Sequence, residues 1–89
     1  MIQTQVTIIN KLGLHARAAA KFVSCTSAFS SKIQAGKDGN MVDAKSIMSV
    51  MMLAAGKGTV LDLQIDGSDE EQALDALTAL IENRFDEAE

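Results

Sequence analysis

His15 is the only histidine of this 89-residue chain, and it stands after a glycine, Gly13, at the point where helix-forming sequence begins at Ala16. The amide groups of a first helical turn have no carbonyl partner within the helix, so a side chain at that place lies beside a natural anion site. A phosphoryl acceptor needs a neutral imidazole nitrogen. The positive end of a helix dipole favours the neutral ring and also stabilises the dianion that forms on transfer. Arg17, two residues on, offers the forked donors of a guanidinium to phosphate oxygens, and Lys21 adds a weaker field one turn further along. Pattern alone leaves the bland reading open, in which His15 is a surface residue capping a helix and Arg17 a solvated charge.

A second group of residues follows at Lys45, Ser46, Ile47, Met48, Met51 and Met52. The Ser46 hydroxyl suits an N-cap, a role that by itself explains a serine at this position. The apolar side chains behind it exceed what a short helix needs for one buried face. Some of them are therefore expected on the surface near His15, as a patch whose flexible thioethers adapt to more than one partner, and the rest in the core. Arg17, Lys21 and Lys45 are the basic residues near that patch, enough for limited steering toward an acidic partner.

The elements that must hold these residues are legible in the periodicities. Ile2 to Ile8 alternates with period two, and Leu61, Leu63 and Ile65 alternate with Asp62, Gln64 and Asp66, so both segments read as half-buried strands. Ala16 to Thr26 carries Ala19, Phe22, Val23 and Thr26 at helical spacing. Lys32 to Lys37 and Met41 to Ala44 are extended candidates around the turn residues Asp38, Gly39 and Asn40. A short helix runs from Ile47 to about Ala54, with Gly56 expected to supply the left-handed residue that ends it. Ser68 and Glu71 form a capping-box pattern before a last helix with Leu74, Leu77, Ile81 and Phe85 on one stripe, after which the acidic tail is expected to fray. The order β-α-β-β-α-β-α predicts an α+β fold, an antiparallel sheet with its helices on one face, in one domain over residues 1–89.

Composition narrows the function classes. The net charge is −4, with the acidic residues concentrated from Asp62 onward, and the chain has three Phe and no Trp or Tyr, which argues against a nucleic-acid surface. No apolar run approaches the ~20 residues of a membrane span, and the N-terminus does not read as a signal peptide. The single cysteine, Cys25, has no partner for a disulfide or a metal site, reads as a small buried residue, and points to a reducing, cytoplasmic setting.

Taken whole, Gly13-Leu14-His15-Ala16-Arg17 and Lys45-Ser46-Ile47-Met48, with the glycine-containing Ala55-Gly56-Lys57-Gly58 segment before a strand, resemble the histidine-containing phosphocarrier protein family, HPr, of the bacterial phosphotransferase system. The resemblance runs over essentially the full chain. It implies an open-faced two-layer sandwich with a four-stranded sheet in the order 1-4-2-3 and three helices on one face. It further implies a cytoplasmic carrier, not an enzyme in its own right, that takes phosphate from enzyme I onto His15 Nδ1 and passes it to a IIA component. Arg17 and the backbone of Ala16 and Arg17 would steady the phosphoryl group. Ala16, Ala20, Lys21, Lys45, Ile47, Met48, Met51 and Met52 would meet partners, Ser46 would be the target of an HPr kinase/phosphorylase, and the protein would act as a monomer without metal or cofactor.

One departure from that family is Ala18, where its members usually carry proline after the arginine. The alanine restores a backbone N–H in the first turn and removes a rigid residue from the helix start. Two rival readings stay in view. One is a regulatory binding module governed by phosphorylation of Ser46. The other is a metabolite-binding sandwich in which His15 merely caps a helix, because a fold by itself does not decide function.

Overall fold

Alternation along the strands decides which way the sheet faces. The computed structural model describes residues 1–88, in which β1 (Ile2–Thr7), β2 (Lys32–Lys37), β3 (Asn40–Asp43) and β4 (Val60–Asp66) form one antiparallel sheet in the order β1-β4-β2-β3. The register pairs Ile2 with Ile65 and Thr7 with Val60, and Ile33 with Ile65 on the other side of β4. Ile33, Ala35, Leu61, Leu63 and Ile65 therefore share one buried face. Gln3, Gln5, Gln34, Asp62 and Gln64 share the other, where Gln5 Nε2 donates to Asp62 Oδ1 at 2.8 Å.

Three helices cover the apolar face: α1 (Ala16–Ser27), α2 (Ile47–Met52) and α3 (Glu70–Glu82). They contribute Ala18, Ala19, Phe22, Val50, Ala73, Leu77 and Ile81 to a core dominated by aliphatic side chains and alanines. Each fully buried large side chain is worth roughly 1.5–3 kcal/mol. Between β2 and β3, Asp38 and Gly39 have φ of 55° and 83°, a two-residue loop whose double left-handed backbone matches the twist of the hairpin. No helix among the described residues is long and apolar enough to cross a membrane.

Three local expectations are corrected. The left-handed residue after α2 is Ala54, with φ 51°, and not Gly56; the chain leaves the helix early because Leu53 and Ala55 are both drawn into the core. The Ser68–Glu71 capping pair does not form. Asp69 stands at the N-cap of α3, but its carboxylate is taken by Ser30 and Ser31 of the segment entering β2, and Glu70 Oε1 reaches back to accept from the Gly67 amide at 3.2 Å. The acidic tail does not fray at Phe85. Residues Arg84–Asp86 make a left-handed turn with φ between 53° and 63°, in which Phe85 is buried in the core from the turn rather than from α3. Lys21 Nζ donates to the Phe85 carbonyl at 2.7 Å and pairs with Asp86 at 3.6 Å. Glu89, the end of that tail, lies outside the described residues.

Candidate functional site

The approach to His15 is fixed by backbone. Gly13 has φ +67°, and a Cβ there would lie 2.4 Å from the Ala55 carbonyl oxygen, so only glycine lets the chain pass. The Leu14 amide donates to that same carbonyl at 2.8 Å, which joins the segment before His15 to the loop leaving α2. Asn10 is fully buried and its Nδ2 donates to the Gly13 carbonyl at 2.8 Å. His15 then occupies the N-cap of α1 with extended backbone, φ −72° and ψ 178°, and its carbonyl accepts from the Ala19 amide at 2.8 Å. Its side chain makes no capping hydrogen bond, so the ring is free for another use.

That use involves the far end of the sequence. The His15 side chain is 30% exposed, and its Nε2 is hydrogen-bonded to Glu87 Oε2. The other oxygen, Glu87 Oε1, accepts from Asn10 Nδ2 at 3.0 Å. Hydrogen bonds from Asn10 and then His15 hold the Glu87 carboxyl below its ordinary value, so it is ionised and can only accept. The ring proton therefore belongs on Nε2. Nδ1 makes no hydrogen bond to any described residue.

Arg17 is exposed, with no hydrogen bond or ion pair to a described residue, and it lines a shallow cleft of about 810 Å³ with Leu12, His15, Ala16 and Glu87. Ala16 and Ala20 are exposed on α1, whereas Ala18 and Ala19 are fully buried. Ala18 thus fills core space where the family's usual proline would stand. Lys21 and Lys45 are less free than their sequence positions suggest. Lys21 is tied to the C-terminal turn, and Lys45 Nζ donates to the Phe29 carbonyl at 2.8 Å.

On α2, Val50 is the only buried residue, while Ile47, Met48, Met51 and Met52 are 41%, 71%, 39% and 80% exposed. The expectation that part of this group fills the core is not met, because a six-residue helix anchored by one valine has no second buried face. Leu12, 66% exposed, adds an apolar side chain to the cleft at His15. Ser46 Oγ accepts from the Ser49 amide at 3.3 Å, which is the N-cap bond expected of it. Among the described residues no cluster of three or more His, Cys, Asp or Glu side chains could hold a metal ion. Cys25 is half-buried, and burial pushes its thiol up.

Sequence reasoning missed Asn10 and Glu87. The bonds that Glu87 makes to Asn10 and to His15 span 77 and 72 positions of chain, and no local periodicity or capping pattern encodes such pairs.

The model of the family described as PTS HPr component phosphorylation site matches residues 2–83. The chain is 57% identical over 89 residues to a phosphocarrier protein HPr of Cupriavidus necator, covering all of both chains. Among solved structures, HPr-C-His from Thermoanaerobacter tengcongensis superposes with a TM-score of 0.95 at 48% identity, covering all of both chains. An HPr dimer from the same organism superposes at 0.78 with 49% identity, covering 98% of this chain and 100% of that one. A family match over nearly the whole length, a full-length relative well above the level at which fold alone is shared, and the sheet order 1-4-2-3 agree: this chain belongs to the HPr family of the phosphotransferase system.

Proposed function

We propose that this protein is a phosphoryl carrier that accepts a phosphoryl group from enzyme I on His15 Nδ1 and delivers it to a IIA component. The observation that carries this reading is the His15 ring at the N-cap of α1, partly exposed, with Nε2 occupied by a carboxylate, Nδ1 without a hydrogen bond to a described residue, and Arg17, likewise without a partner among the described residues, lining the same cleft. In the transfer step the Nδ1 lone pair forms a bond to phosphorus while the bond from phosphorus to the donor breaks, its electron pair leaving with the donor. The reverse sequence, with the acceptor's nucleophile attacking, returns Nδ1 to a lone pair. The protein is thus consumed and restored in stoichiometric steps, as a carrier rather than a turnover catalyst.

Arg17 holds the phosphoryl oxygens through forked, charge-assisted hydrogen bonds, and the amides of Ala16 and Arg17 in the first turn add the helix-end field. Ala16, Ala20, Ile47, Met48, Met51 and Met52 form the docking surface, with Lys21 and Lys45 lending charge from bonded positions. The carrier works in the cytoplasm as a monomer, which light scattering at micromolar concentration checks. Phosphorylation of Ser46 by an HPr kinase/phosphorylase would set a dianion beside the exposed Ile47 and Met48 and weaken docking of an acidic partner. Incubation with phosphoenolpyruvate and enzyme I should give acid-labile phosphate on the wild-type chain and none on His15→Ala. Labelling that survives His15→Ala would end this reading.

A further inference from the structure

We infer that Glu87 is a positioning residue for phosphoryl transfer: its carboxylate holds the imidazole of His15 as the Nε2–H tautomer and keeps Nδ1 as the bare nucleophilic nitrogen. The inference rests on His15 being the acceptor and goes beyond it, because a neutral imidazole in water divides its proton between both nitrogens. A carboxylate on one nitrogen removes that ambiguity and fixes the ring plane, as acidic partners of histidine do in other nucleophilic and metal sites.

Two features of the molecule are spent on this contact. Asn10, fully buried, turns its Nδ2 to Glu87 and to the Gly13 carbonyl, and leaves its own Oδ1 buried without a partner among the described residues. An unsatisfied buried acceptor is a cost that a purely structural asparagine would avoid. The Arg84–Asp86 turn holds three successive non-glycine residues at positive φ, a conformation that L residues rarely adopt and that persists only where the surroundings impose it. Here the surroundings are the buried Phe85 ring and the Lys21 side chain, bonded to the Phe85 carbonyl and paired with Asp86. The strained turn sits immediately before Glu87 and delivers its side chain to the ring.

The chemistry is balanced at each atom. Nδ1 already carries a lone pair, so no base has to remove a proton before attack. As the Nδ1–phosphorus bond forms and the donor's bond breaks, the ring becomes cationic. Its Nε2–H then faces an ionised carboxylate, so charge developing in the step meets an opposite charge already in place. The carboxylate lies at the nitrogen remote from phosphorus, while Arg17 lines the cleft to meet the phosphoryl oxygens.

Glu87→Ala and Glu87→Gln test this on the full-length protein. Nitrogen NMR of the free wild-type protein at alkaline pH should report one dominant tautomer of the His15 ring, protonated at Nε2. Glu87→Ala should show a mixture of both and transfer from enzyme I about tenfold more slowly, with the loss in kcat rather than in KM. Glu87→Gln, whose amide oxygen can still accept, should restore the single tautomer and recover part of the rate. An unchanged tautomer in Glu87→Ala, or transfer as fast as or faster than wild type, would overturn the inference while leaving His15 as the acceptor. Loss of labelling is not expected of either variant, since that result belongs to His15→Ala and to the reading beneath this one.

Discussion

Two carboxylates at opposite ends of the sheet are put to different use by the same physics. Asp69 sits past the Ile65 end of β4, where it accepts from the amides of Ser30 and Ser31 and from both hydroxyls, and these bonds, Ser31 first, lower its value from the ordinary 3.8 to about 2. Glu87 sits past the Thr7 end of β1 and divides its oxygens between Asn10 and the ring of His15. Every donor on Asp69 is a fixed part of the chain, so that carboxylate fastens the start of β2 to the start of α3 and nothing more. One donor on Glu87 is a titratable, partly exposed ring, so the same kind of bond there sets a chemical state. What separates a structural carboxylate from a functional one is the identity and freedom of its donors, and both here have a lowered pKa.

That contrast divides the expected mutant effects into activity without stability at one end and stability without activity at the other. The largest effect is His15→Ala, which should abolish phosphoryl transfer and leave the thermal midpoint nearly unchanged, as followed by labelling and by circular dichroism. Arg17→Ala should slow transfer about 10- to 100-fold, the range of one or two lost charge-assisted hydrogen bonds, again without altering the midpoint. A large fall in Tm for either variant would break the contrast.

Asp69→Asn should do the reverse, lowering Tm at pH 7 while transfer proceeds at the wild-type rate. Because the folded value of Asp69 lies below its unfolded one, its contribution is whole above the unfolded value and is lost as pH falls through about 2. The variant should therefore show a shallower decline of stability with acid between about pH 4 and pH 2, measured by denaturant titrations at several pH values. Ser46→Ala is the smallest, costing about 1 kcal/mol for the lost cap and lowering Tm by about 4–8 °C, with labelling of His15 by enzyme I retained.

The sheet and helices were legible because they are written locally. Leu61, Leu63 and Ile65 alternate with polar residues and do form the buried face of β4, Lys32 to Lys37 is β2 to the residue, and the three-and-four spacing of Ala19 and Phe22 points into the core. The immediate surroundings of His15 were equally legible, since a glycine before a helix start is a local pattern and Gly13 does hold the required positive φ. The partner of His15 was not. An acidic residue near a chain end ordinarily frays, and nothing in Arg84-Phe85-Asp86 announces three left-handed residues, because the turn exists only through Phe85 entering the core and Lys21 reaching across from α1. The same reason hid Asp69, whose use as a clamp on Ser30 and Ser31 displaced the capping box that Ser68 and Glu71 suggest. The exposure of α2 was half legible: its excess of apolar residues signalled a surface patch, but only the helix's six-residue length and single buried valine put the whole group outside.

The central claim is that one named nitrogen carries the phosphoryl group. NMR of nitrogen-labelled protein, phosphorylated by enzyme I and phosphoenolpyruvate, measures it through the one-bond coupling between phosphorus and nitrogen. The account expects that coupling at His15 Nδ1, with the proton on Nε2. Coupling at Nε2, or phosphate found only on a hydroxyl such as Ser46, would contradict it.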